Sequence, residues 1–270
     1  MKNYSLIILL SVFIYSCNTS DDNLSDGNEY SQYITENSIS TDIDFMSDEI
    51  YENSNVSHSP ASKLKFITTQ IFSCFNYGLV TTEFIKGSEL IIRFEKILMP
   101  NICLTAFGPA VSYIHLPENI NKLILINGET IDKYSIEIGN EQVLVSVIES
   151  NFTNSLYKKT FRYPENTFAY IGGTNINNTN LYDDFLELLL QNPSLTEYTF
   201  GEDGRIPFPE SSDGHWVDNP SKYFKYNNTS DFEELGKLLS DFTSENIEPN
   251  SGVSISLISW DNKKHYSWID

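Results

Sequence analysis

The sequence predicts an α+β chain, with an antiparallel β-sandwich of about seven to nine strands over 63–173 and a smaller α+β region over 174–270. Three observations predict it. Short segments rich in β-branched and aromatic residues recur between turn signals from Lys63 onwards. Helical periodicity appears only after Gly172-Gly173, in two stretches that precede a terminal hairpin pattern. Hydrophobic residues make up 40% of the chain and aromatics 13%, enough for a substantial core in one large domain or two small ones.

Taken in order, Ile67–Phe75 and Leu79–Phe84 open the β series. Leu90, Ile92 and Phe94 alternate with Ile91, Arg93 and Glu95, the period-two pattern of a strand with one buried face. Ile102–Phe107, Val111–Leu116 and Leu123–Ile126 continue the series, and Asn127-Gly128 marks a tight turn. Tyr134, Ile136 and Ile138 alternate before the Gly139-Asn140 turn, and Val143, Val145 and Val147 alternate after it. Lys158–Tyr163 and Thr167–Ile171 complete the set, which Gly172-Gly173 is expected to end as a turn or helix entry. No tryptophan lies between Cys74 and Cys103, so an immunoglobulin-type domain is not expected.

Leu181, Phe185, Leu188 and Leu189 form one helical face, with Asp183 and Asp184 near the start, where negative charge suits the helix dipole. In the second helix Phe232, Leu235, Leu239 and Phe242 recur at helical spacing behind a capping box read at Ser230–Glu233. Pro249 and Gly252 follow its stop. Val253–Trp260, a turn at Asp261-Asn262-Lys263 and His265–Ile269 read as the hairpin, whose tryptophans Trp260 and Trp268 are expected in the core, the alternative being that they extend a ligand surface formed by 201–226. There is no internal repeat.

The amino terminus carries a different signal. Lys2 precedes an apolar stretch from Leu6 to Ile14, the length of a secretory h-region; a spanning helix needs about twenty apolar residues. The stretch ends in Ile14-Tyr15-Ser16-Cys17, which resembles the lipobox of bacterial lipoproteins, although Tyr15 departs from the small or aliphatic residue usual there. The resemblance implies a signal peptide over 1–16, cleavage after Ser16 and palmitate-type lipidation of Cys17. Two or more acyl chains, each buried CH₂ contributing about 0.8 kcal/mol, would then hold the protein on the membrane. Asp21–Asp22 just beyond resembles the export signal of surface-exposed lipoproteins in the Bacteroidota, and an Asn/Ile/Lys/Tyr-rich composition suits such an organism. The implied address is the outer membrane, on its periplasmic or external face.

Residues 18–62 hold ten acids and neither Lys nor Arg, with many Ser, Asn and Thr. Such a composition buries too little apolar surface to fold, so 17–62 is expected to be a disordered acidic tether reaching roughly 37 Å. Asp42–Glu49 lacks the glycine turn and oxygen spacing of a calcium loop. The alternative is that Ile43, Phe45, Met46 and Ile50 order this stretch against the domain or a partner.

The formal net charge is −20. It argues against nucleic acid and anionic membrane surfaces as partners, and for a basic protein partner or simple colloidal repulsion. With Cys17 acylated, Cys74 and Cys103 remain as an even pair, which in an oxidising envelope suggests a disulfide; two buried free thiols are the alternative. Closing a loop of about thirty residues would stabilise the fold by roughly 3.5 kcal/mol in the chain-entropy model.

The sequence lacks a Gly-x-Ser-x-Gly elbow, a His-Glu-x-x-His pair, a phosphate-cradling Gly-x-x-x-x-Gly-Lys and a Gly-x-Gly-x-x-Gly turn. His58, His115, His215 and His265 stand far apart, and no metal or cofactor is expected. The densest stretch of potential chemistry is 201–226. There Trp216, Tyr223 and Tyr226 could present stacking faces, with Asp213 and Asp218 as acceptors, as a glycan-binding surface requires. The same loop could set Asp213 or Glu210 beside His215 as a carboxylate-oriented base, or simply cover the core. The expected function is therefore a non-enzymatic binding or interaction lipoprotein of the cell envelope, taking a glycan or protein ligand. The alternative is a hydrolase using the acids and His215 of that loop.

Overall fold

A computed structural model describes residues 29–53, 56–175, 180–209, 212–213 and 216–268. The signal segment, Cys17 and Asp21–Asp22 lie outside the described residues. The chain divides after Tyr33 into two units. In the first, the described part is a 3-10 turn, Ser31–Tyr33, closed by Tyr33 N–H donating to Tyr30 O at 2.9 Å. The second unit is mostly β with two helices.

Its first sheet is built from β1 (Ile43–Ile50), β2 (Ala61–Phe72), β3 (Gly78–Lys86), β4 (Glu89–Leu98), β5 (Gly108–His115) and β6 (Lys122–Asn127). β7 (Thr130–Ile138), β8 (Gln142–Glu149), β9 (Thr153–Ser155) and β10 (Lys159–Phe161) complete it. In place of two antiparallel sheets, these ten strands form one mixed sheet in the order β10-β8-β7-β6-β4-β3-β5-β2-β1-β9. Three of its pairings, β1/β9, β3/β5 and β4/β6, are parallel. The sheet curls into a half-barrel whose two ends come from one passage of chain. Leu156 N–H donates to Phe45 O at 2.8 Å, and two residues later Lys158 O accepts from Val145 N–H at 2.9 Å. A curled sheet needs no facing partner, because its concave side encloses its own core.

That core is aromatic. Phe45 stacks on Phe66 at 5.6 Å between ring centroids and meets Tyr134 edge-on at 4.8 Å, while Phe94 contacts Phe66 at 5.4 Å. Beneath it Asp132 is fully buried and fastens the turn into β9. Its carboxylate accepts from the backbone N–H groups of Asn151 (2.7 Å), Phe152 (3.1 Å) and Thr153 (2.8 Å), and from Thr153 Oγ1 (2.6 Å).

β1 corrects the expected tether. Ile43 and Phe45 are fully buried, worth roughly 2–3 kcal/mol each, and the acids beside them find partners rather than water. Asp48 pairs with Arg205 at 2.8 Å and Glu49 with Arg162 at 2.9 Å. Beyond β1 the chain straps onto the far end of the molecule. Tyr51 donates to Trp260 O at 2.8 Å, His58 N–H to Asp261 O at 2.9 Å, and Asn262 Nδ2 to Asn53 O at 3.0 Å.

Cys74 and Cys103 form a disulfide, with Cα atoms 5.3 Å apart. Both sit in loops, after β2 and after β4. Ile102–Phe107, expected as a strand, has no regular structure and is exposed.

The second sheet contains β11 (Thr167–Asn175), followed by helix α1 (Asn180–Gln191), β12 (Leu195–Tyr198), β13 (Ser212–Asp213), β14 (Trp216–Asp218) and β15 (Lys222–Tyr226). Helix α2 (Thr229–Asn246), β16 (Val253–Ser259) and β17 (Lys264–Tyr266) close the chain. β11 lies at its centre, antiparallel to β14 and β15 on one side and to β16 on the other. It therefore belongs to this sheet, not to the first. Gly172 and Gly173 sit inside it, opposite Ile255 and Ser254, rather than ending the β region. A Cβ on Gly172 would come within 2.1 Å of the Tyr182 ring, so the glycine is there to let α1 approach.

Both helices cover one face of this sheet through Phe185, Leu189, Phe232, Leu235, Leu239 and Phe242. The cap of α2 is Asn228, two residues before the expected position, and Asp231 reaches back to the Asn228 N–H at 3.1 Å. The sheet's other face packs Tyr163, Ala169 and Tyr223.

Candidate functional site

Of the residues expected to form a site in 201–226, the structure makes two of them scaffold. Tyr223 is 2% exposed, its ring meets Phe200 edge-on at 4.7 Å, and its hydroxyl accepts from Phe208 N–H at 3.0 Å. Burial raises the Tyr223 phenol well above its ordinary value. Tyr226 is also buried, and its phenol is pushed up to about 12 by burial. Alternation along β15 explains this, since both faces of the second sheet are packed. Neither ring can serve as a stacking face for a ligand. Asp218 is half-buried in β14, opposite Gly173. Asp213 and Trp216 pair as backbone between β13 and β14, while their side chains, with Glu210 and His215, lie outside the described residues.

A polar cleft of about 620 Å³ lies at the seam between the sheets, lined by Glu49, Glu118, Arg162 and Trp260. Its central charges are already engaged. Glu49 accepts from Arg162 Nε at 2.9 Å and from Tyr163 N–H at 2.5 Å. Burial pushes its carboxyl above the ordinary value, while the Tyr163 N–H and Arg162 act in the opposite direction. With Asp48–Arg205 alongside, this is a joint that fixes one sheet against the other. Among the described residues, no group of three His, Cys, Asp or Glu side chains could hold a metal ion.

Exposed aromatic rings like those sought in 201–226 occur at the carboxyl end of the chain, beside hydroxyls rather than the expected aspartates. A cleft of about 480 Å³ opens between the last turns of α2 and the β16–β17 hairpin. Tyr266 ends β17 and Trp268 lies in the turn just beyond it. Their ring centroids are 4.6 Å apart with planes 30° from parallel. Trp268 is 57% exposed, which corrects its expected place in the core.

Across from this platform α2 presents Ser240, Thr243 and Ser244. Their i, i+3, i+4 spacing puts three hydroxyls on one helical stripe, beside the apolar stripe that packs on the sheet. The Thr243 hydroxyl oxygen is buried and has no hydrogen-bond partner among the described residues, so it lies out of reach of a group entering the cleft. Ser244 donates to Asp241 O at 2.8 Å, and Ser267 Oγ accepts from Ile255 N–H at 3.0 Å, so these two are held in place by the backbone.

Glu248 is the one charged side chain among the described residues lining this cleft. Flat apolar rings facing neutral hydroxyls suit a neutral, polyhydroxylated ligand, whose C–H faces stack on the rings while its hydroxyls exchange hydrogen bonds. The signals that could have found the site were Tyr266-Ser267-Trp268 and the Ser240/Thr243/Ser244 stripe. Comparison of the chain with protein-family models, curated proteins and solved structures gave no significant match.

Proposed function

We propose that this chain is a lipid-anchored protein of the cell envelope that binds a neutral glycan, without catalysis, in the cleft between α2 and the terminal hairpin. The observation that carries the reading is the Tyr266–Trp268 platform facing the hydroxyls of α2. Hydrolysis of a glycosidic bond needs two carboxylates about 5–10 Å apart across the substrate. Among the described residues Glu248 is the one carboxylate lining the cleft, which supports binding over hydrolysis. The address rests on the lipobox resemblance at Cys17, and the Cys74–Cys103 disulfide accords with an oxidising compartment outside the cytoplasm.

Screening the protein against an array of neutral glycans, followed by calorimetry on each hit, tests the site. Trp268→Ala should weaken binding about tenfold, the order expected for losing a stacked aromatic face, and leave the thermal midpoint nearly unchanged because Trp268 is largely exposed. An array without hits, or a hit indifferent to this substitution, removes the cleft from consideration. A net charge of −20 supports a second reading, a basic protein partner held by long-range attraction. Binding of that kind would weaken steeply with salt, whereas stacking on Trp268 would not.

A further inference from the structure

The end of the first sheet that carries the disulfide is apolar and uncovered. Ile102 is 76% exposed and Phe107 80%, and Phe75, Leu98, Met99 and Leu104 are exposed around them. Apart from Leu98, which ends β4, these side chains come from two loops, 73–77 and 99–107, that the Cys74–Cys103 bond holds together. Charge is missing here: neither 66–82 nor 97–114 contains an Asp, Glu, Lys or Arg, in a chain with 37 acids and 17 bases. An apolar cluster of this size needs an occupant.

We propose that this tip inserts into the surface of an electrically neutral lipid bilayer. Three features favour lipid over a protein partner. The two most exposed side chains stand clear of their surroundings, a convex shape that a fluid phase accommodates and a protein would have to match with a cavity. A protein interface is usually rimmed with charge, and the two segments of this tip supply only neutral polar side chains such as Asn101 and Thr105. Part of the loop backbone is already bonded within the tip, which lowers the cost of entering a non-aqueous phase. Asn76 Nδ2 donates to Ile102 O at 2.8 Å, Asn76 Oδ1 accepts from Leu104 N–H at 3.2 Å, and Ala106 N–H donates to Leu104 O at 2.8 Å. The disulfide lets the tip enter without unfolding. The proposal does not depend on lipidation at Cys17 or on the glycan cleft.

The test uses the full chain with Cys17→Ser, so that no acyl chain contributes, and vesicles of pure phosphatidylcholine. Sedimentation should show binding that is unchanged between 50 mM and 500 mM salt, about those levels spanning strong and weak screening. Ile102→Asp together with Phe107→Asp should lower the partition coefficient at least tenfold, with the thermal midpoint retained because both side chains are exposed. Asp replacements that leave vesicle binding intact overturn the proposal, as does absence of binding by the parent. Self-association in solution that the same pair abolishes, with no vesicle binding, would assign the tip to a second copy and equally overturn it. Palmitate labelling of Cys17 is read separately, so failure there leaves this result standing.

Discussion

The carboxylate of Asp132 concentrates more hydrogen bonding than any other single side chain described above. Its bonds to Asn151, Phe152 and Thr153 fix the turn that delivers β9 to the edge of the sheet. Removing it leaves buried N–H groups without an acceptor, and each such orphan costs about 1–3 kcal/mol. Asp132→Ala should therefore lower the unfolding free energy by about 3–5 kcal/mol, read by chemical denaturation. Asp132→Asn retains an acceptor oxygen and should cost less. Residue by residue, the sequence is blind to this role. An aspartate between Ile131 and Lys133 in a half-polar strand looks like a solvated side chain, and its five bonds come from residues about twenty positions away. The Tyr266–Trp268 platform escaped for the opposite reason. Tryptophan on a strand is commonly core, and only the position of α2 leaves Trp268 in the open.

Among the elements, the contact between the hairpin and α2 carries a pH dependence. The His265 ring packs against Phe232 at 4.8 Å between centroids, and a Cβ on Gly236 would come within 2.5 Å of its Nδ1. Burial lowers the His265 pKa, Lys263 lowers it further, and Glu233 and the Phe232 backbone work against both. In the unfolded chain the imidazole takes up its proton near pH 6.5, and in the folded protein only at lower pH. The stability owed to the neutral ring is thus complete above about pH 6.5 and is lost as pH falls through the folded value. Thermal midpoints measured from pH 7 down to pH 5 should decline, and His265→Gln should flatten the slope in that window.

The helices and most strands were legible because their apolar spacing is local. β1 matches the alternative offered by Ile43, Phe45, Met46 and Ile50; averaging over ten acids across 18–62 put it second, and the arginines that neutralise Asp48 and Glu49 lie over a hundred residues downstream. Ile102–Phe107 erred in the other direction, its apolar residues exposed rather than paired. The Gly172-Gly173 pair was read as a turn, when its meaning is the ring of Tyr182 against the strand.

For the molecule as a whole, strand content, two helices, the hairpin and the disulfide follow from the sequence, whereas the single curled sheet does not. Parallel pairs such as β4/β6 join strands separated by β5, and no local pattern distinguishes that arrangement from a sandwich. The proposed envelope address makes its prediction at this scale. Cells fed radioactive palmitate should label the full chain, and Cys17→Ala should abolish the label; equal labelling of both would end the lipoprotein reading.

The two strands that terminate the curled sheet are three residues each, β9 and β10. A sheet grows by adding a foreign strand along an open border, and each of these strands covers three residues of the longer strand behind it, Ile43–Phe45 of β1 and Gln142–Leu144 of β8. Copies crowded side by side on a membrane would meet at high local concentration, the condition under which such borders join into polymers. Bringing both ends of the sheet into the one passage 153–161 would narrow the border that such a neighbour could reach.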